Sequence, residues 1–71
     1  MEHKITEDEI KEFLTWSNIM IAFSKEGTEA KKLTFNPLTG FYWIYGYFNG
    51  DIVASFNTKD MVEAMSLYNE V

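Results

Sequence analysis

Among its 71 residues the chain has no cysteine, no arginine, one proline and one histidine. Without cysteine, neither a disulfide framework nor a thiolate metal site can supplement the core, and nothing points to an oxidising compartment. The only histidine, His3, lies near the amino terminus without a paired ligand, so His and Cys cannot assemble a metal site. No glycine-rich phosphate loop is present, since Gly27, Gly40, Gly46 and Gly50 are scattered and mostly explained by turns. The longest apolar runs, Ile19 to Phe23 among them, are far short of the roughly 20 residues that span a bilayer. The charged start, Met1-Glu2-His3-Lys4, is not followed by an apolar signal region. These absences predict a soluble, cytoplasmic, non-enzymatic protein that spans no membrane and uses no cofactor.

Eleven acids stand against six lysines, for a net charge of -5. That balance argues against phosphate-backbone binding, which depends on clustered Lys and Arg, and suits approach to a basic surface. It also keeps a small protein soluble. Aromatic residues make up 17% of the chain, and such side chains dominate cores and interfaces. A chain this short buries only about 60% of its unfolded surface, which leaves room for one domain, residues 1–71.

Thr6 as N-cap, Glu9 three residues later, and Ile5 with Ile10 as a hydrophobic staple predict the start of a first helix. Glu7, Asp8 and Glu9 then fill its first turn, where the helix dipole favours negative charge. Ile10, Phe13, Leu14, Ser17, Met20 and Ile21 recur at helical spacing, with Trp16, Ile19 and Phe23 on nearly the opposite side. The pattern predicts that this helix runs to Ser24–Glu26 and is closed by Gly27. After the polar stretch 28–32, Leu33-Thr34-Phe35 reads as a short strand and Asn36 to Gly40 as a turn. Phe41 to Phe48 forms the next strand, the Asn49-Gly50 pair a type I′ hairpin, and Asp51 to Phe56 the third strand. Asn57 or Thr58 caps a second helix in which Met61, Ala64, Met65, Tyr68 and Val71 share a face. The expected fold is α+β, in the order α-β-β-β-α, with a three-stranded antiparallel meander packed against two helices.

With the Asn49-Gly50 turn fixing register, one sheet face would carry Phe41, Trp43, Tyr45 and Tyr47 with Ile52, Ala54 and Phe56. The other would carry Tyr42, Ile44, Gly46 and Phe48 with Asp51, Val53, Ser55 and Asn57, joined by Leu33 and Phe35 if the first turn is a four-residue loop. Neither face is properly polar. Either the helices cover opposite faces, or both pack on one and leave an apolar surface of the kind that marks interaction sites. Trp16, Tyr42, Tyr47 and Phe48 are the candidates for an exposed contact surface, with Asp51 and Asp60 nearby in sequence. Glu7, Asp8 and Glu12 complete the set on the first helix. Carboxylate pairs such as Glu9 with Glu12, or Glu63 with Glu70, fit a solvated helix face better than acid-base catalysis.

The segments Leu33-Thr34-Phe35-Asn36, Thr39-Gly40-Phe41-Tyr42-Trp43-Ile44-Tyr45, Asn49-Gly50, Ala64 and Tyr68-Asn69 resemble small accessory proteins of bacteriophages. That group includes the anti-CRISPR proteins, which block host defences. The resemblance implies a non-enzymatic inhibitor, encoded by a phage or mobile element, acting in the host cytoplasm on a nucleic-acid-handling protein such as a CRISPR nuclease. It carries no residue role over. Such an inhibitor would present acids and aromatics to a host protein with a basic surface. The alternative is a self-associating structural or regulatory domain, a homodimer in which Trp16, Ile19 and Phe23 meet across a two-fold interface. Aromatics alternating on a central strand also suggest a single-stranded nucleic-acid binder. Net acidity and the absence of cations in Phe41 to Phe48 argue against that third reading.

Overall fold

The computed structural model describes residues 3 to 15 and 19 to 71, with all their side chains except those of Phe13 and Thr15. Its elements are α1 (Glu7–Thr15), β1 (Met20–Glu26), β2 (Glu29–Asn36), β3 (Phe41–Phe48), β4 (Asp51–Thr58) and α2 (Met61–Glu70). The four strands form one antiparallel meander in the order β1-β2-β3-β4. The class and the meander are those expected, with one strand more.

The helix start is built as its sequence dictates. The Glu9 amide donates to Thr6 Oγ1 at 3.4 Å, and the Thr6 hydroxyl donates in turn to the Glu9 carboxylate at 3.2 Å. Ile5 and Ile10 are both buried in the core. The helix ends at Thr15, however, and Met20 to Glu26 is a strand, so the expected helix through Ser24–Glu26 is replaced. A short apolar run such as Ile19 to Phe23 fits either period, and pairing decides it. Here pairing with β2 extends from Met20↔Thr34 to Glu26↔Glu29, around a bulge at Ile21 that turns this side chain into the core. Gly27, expected to close a helix, takes φ +61° in the β1-β2 hairpin.

A second bulge, at Val53, redraws the faces of β4. Phe48↔Asp51 and Tyr47↔Ile52 pair as the Asn49-Gly50 turn requires, but beyond the bulge Gly46 opposes Ala54, Tyr45 opposes Ser55 and Ile44 opposes Phe56. Ala54, Phe56 and Thr58 therefore lie with Tyr42, Ile44 and Gly46, while Ser55 and Asn57 move to the side of Trp43 and Tyr45. The expected pairings Tyr45–Ala54 and Trp43–Phe56 are overturned, because one extra residue reverses every later side chain. The loop from Pro37 to Gly40 has four residues, with Asn36 paired to Phe41, so Leu33 and Phe35 join Ile44 and Tyr42.

Helix α2 packs across β2, β3 and β4, and α1 packs against β1 and α2. The cap of α2 is Asp60, not Asn57 or Thr58: β4 continues to Thr58, and the Asp60 carboxylate accepts from Val62 N at 2.9 Å. Ala64 and Tyr68 are fully buried with Ile10, Leu33 and Ile44 in one core. Gly46 allows the close approach of the chain's end, since a Cβ there would come within 2.8 Å of Val71 Cγ1. The amino-terminal segment is clipped to α2 by a reciprocal pair, Ile5 N to Asn69 Oδ1 at 2.8 Å and Asn69 Nδ2 to Ile5 O at 3.0 Å.

The adjacent lysines of β2 part ways. Lys31 is fully buried, and its ammonium donates to the Tyr68 carbonyl at 2.9 Å while lying 4.4 Å from the Tyr68 ring centroid. Helix α2 has no basic residue in its last turn, so a cation from β2 meets the negative end of its dipole instead. Burial lowers the Lys31 pKa below the ordinary lysine value, and the charge of Lys4 acts in the same direction. Lys32 points to the other face of the sheet.

Replacing these two neighbours separates the faces experimentally. Lys31→Glu leaves a buried carboxylate against a carbonyl and is expected to cost more than about 3 kcal/mol in chemical unfolding. Lys32→Glu should stay within about 1 kcal/mol of the parent. The tyrosines supply a pH test. Burial pushes Tyr68 up to about 12, and burial together with the charge of Asp60 raises Tyr42. Between the unfolded tyrosine value near 10 and the folded value, the unfolded chain binds fewer protons, so stability falls as pH rises. Unfolding curves over that window should show the loss, and Tyr68→Phe should flatten it.

Candidate functional surface

Because both helices pack on the side of Tyr42 and Ile44, no described element packs against the other face of the sheet. Its centre is β3, where strand alternation places Phe41, Trp43, Tyr45 and Tyr47 in one row. All four rings are half-buried by their neighbours and open on one side. Trp43 and Tyr45 stack with centroids 6.1 Å apart and planes within 10°, and Tyr45 and Tyr47 follow at 6.3 Å and 37°. The row forms a continuous aromatic strip along a rigid central strand.

Cations flank it. Lys32, paired with Tyr45, holds its ammonium 5.2 Å from the Tyr45 centroid and 5.7 Å from that of Tyr47. Lys59 lies 5.0 Å above the Phe41 ring. Lys25 pairs with Ala30, itself paired with Tyr47, so it shares the same face. The strand carboxylates fall on the opposite side: Glu26 pairs with Glu29, Glu29 with Phe48, and Phe48 with Asp51. Registry thus sorts charge, leaving aromatics and lysines on the open face without a carboxylate at any of its strand positions. Phe23 and Ile52 add exposed apolar surface there, at 52% and 57%.

The residues expected to form the contact surface are dispersed by this arrangement. Tyr47 lies on the open strip. Tyr42 is a correction: it is 5% exposed, packed against Phe35 with ring centroids 4.7 Å apart and planes tilted by 45°, because helices cover its face. Phe48 and Asp51 are exposed at the far hairpin, with Phe48 belonging to the helix-covered face. Asp60 is committed to capping α2. Glu7, Asp8 and Glu12 lie on α1, with Asp8 and Glu12 exposed, away from the aromatic strip. Trp16 lies outside the described residues, and Phe23 and Ile19, exposed, stand on and before a strand and not on the expected helix face. Trp43, Tyr45, Lys32 and Lys59 are the functional candidates sequence reasoning missed. Alternation on β2 and β3 is the signal for them, obscured where the strand is read as starting at Leu33 and Lys32 falls in the polar stretch before it.

No family model, curated protein or solved structure matches this chain. The surface must speak through its chemistry. Elsewhere, a cleft of about 520 Å³ is lined by His3, Ile5, Glu9 and residues 20–23. Its polar groups are engaged, His3 Nδ1 with the Tyr68 hydroxyl at 2.9 Å and Glu9 with Thr6. Among the described residues no three His, Cys, Asp or Glu side chains come together as metal ligands, and no helix is long and apolar enough to cross a membrane.

If the strip serves contact and not folding, it should be removable. Tyr45→Thr, which replaces the ring by a β-branched residue that suits a strand, is expected to cost less than about 1.5 kcal/mol. Ile44→Ala, on the buried side, should cost about 2–5 kcal/mol by the same unfolding measurement.

Proposed function

We infer that this is a non-catalytic binding protein whose contact surface is the open sheet face, and whose partner presents negative charge there. One observation carries the reading: Lys25, Lys32 and Lys59 border an aromatic row on a face with no strand carboxylate, in a chain that is acidic overall. Aromatic side chains give large rigid contact area, and a cation set over them selects the sign of the partner. Net charge does not oppose this at physiological salt. The shortest Cα extent of the molecule, 19 Å, is about twice the ~8 Å screening length, so acids on the helix side are largely screened from a ligand on the sheet.

A second reading, the acidic inhibitor of a basic host protein, draws on the other side of the molecule. Its support is the exposure of Asp8, Glu9 and Glu12 on α1. Those acids would meet a partner without the aromatics, which the fold puts on a different face.

Charged matrices distinguish the two. The protein is expected to be retained by immobilised heparin at about 0.1 M salt, where the helix-side acids are screened, with retention lost in a Lys32→Glu, Lys59→Glu double variant and kept when Asp8 and Glu12 become glutamine. Passage through heparin, together with retention on a polycationic matrix that depends on Asp8 and Glu12, would instead favour the acidic-inhibitor reading.

A further inference from the structure

We propose that the open sheet face binds single-stranded nucleic acid, with bases laid on Trp43, Tyr45 and Tyr47 and phosphates directed to Lys32, Lys25 and Lys59. The assignment rests on the reading that this face receives an anionic partner, and it names the class. A sulfated or acidic protein surface would satisfy the lysines, but it would leave a strip of aromatic rings without planar partners. Unpaired bases satisfy both, since every base has a π face and every linkage a charge.

The spacing selects the single strand. Centroid separations of 6.1 and 6.3 Å are nearly twice the ~3.4 Å rise of a stacked strand, so one base per ring requires a strand already unstacked. A duplex, whose bases are covered, could offer the strip only its backbone. The rings are also spaced by strand geometry, two residues per step, so the platform exists before the ligand arrives. Sequence preference should be weak, because stacking on ring faces accepts every base, and beside the strip only Asn57, opposite Trp43, and Ser55, opposite Tyr45, offer polar β4 side chains to base edges.

Charge placement gives the sharpest discrimination. If overall charge governed binding, neutralising any exposed acid would help. Local complementarity predicts otherwise: Ser55→Lys, which adds a cation opposite Tyr45 on the open face, should tighten binding, while Glu63→Gln on α2, an equal change in net charge, should not.

The test is a fluorescence titration of the full chain carrying Trp16→Phe, so that Trp43 is the only indole, with an oligothymidylate of about ten nucleotides. Stacking should quench Trp43, with a salt slope no steeper than about -2 for three phosphate contacts. Tyr45→Thr should weaken binding roughly tenfold, and Lys32→Glu at least fivefold with a shallower slope. Ser55→Lys should tighten it and Glu63→Gln change it less than twofold. Circular dichroism of each variant separates misfolding from lost contact. No quenching at about 0.1 M salt, equal affinity for duplex of the same sequence, or an undiminished affinity in Tyr45→Thr would overturn the proposal. Should the oligonucleotide fail while heparin is still retained through Lys32 and Lys59, the nucleic-acid assignment falls and the anionic-partner reading stands.

Discussion

The buried ammonium of Lys31 is the interaction on which the arrangement turns. A lysine in the second strand of a small sheet would ordinarily face solvent, since burying its charge is expensive unless donors and dipoles are matched. Here the last turn of α2 supplies the match, a carbonyl at 2.9 Å and a ring at 4.4 Å. The ion holds the end of α2 on the sheet, and with it Tyr68, Val71 and, through Asn69, the amino-terminal segment. Since α1 leans on α2 and β1, docking α2 on this face draws both helices to one side. The opposite face is left open by the same stroke.

From that placement the charge pattern follows by alternation alone. Lys31 inward sends Lys32 outward, beside Tyr45, and the unbroken pairing of β2 with β3 carries the register to Trp43 and Phe41. On β4 the bulge at Val53 is required for the same result. Without it Phe56 would lie among the open aromatics and Asn57 would face the helices. With it, polar Ser55 and Asn57 border the strip and Thr58 reaches the Asp60 amide at 3.1 Å, at the start of α2. Bulges are a means of re-aiming side chains in a sheet, and this one trims an otherwise apolar surface into a bounded strip.

Much of this was legible in the residues. Thr6 with Glu9, Ile5 with Ile10, the Asn49-Gly50 hairpin, and the Ala64–Tyr68 face of α2 each carry a local signal, and the structure uses all of them. What failed were decisions made at long range. Ile19 to Phe23 satisfies a helix as readily as a strand, and only β2, ten residues on, tips the balance. The bulge at Val53 leaves no mark in composition, because Ile52, Val53 and Ala54 all suit a strand. Lysine at position 31 reads as solvated until a helix terminus thirty-seven residues later is placed over it. For the functional surface, the cations absent from β3 itself lie on β1, on β2 and beyond β4, at distances set by pairing and not by sequence neighbourhood. Net charge argued against an anionic partner because a sum over the chain does not record which face each charge occupies.

The central claim is that contact is made through the open sheet face. Amide and side-chain chemical-shift mapping with a short single-stranded oligonucleotide tests it residue by residue in the unaltered protein. The account predicts shifts concentrated at Lys32, Trp43, Tyr45, Tyr47 and Ser55, with the indole and tyrosine ring protons moving upfield and α1 silent. Shifts confined to Asp8, Glu12 and their neighbours on α1 would contradict it, and an unchanged spectrum would remove the nucleic-acid assignment.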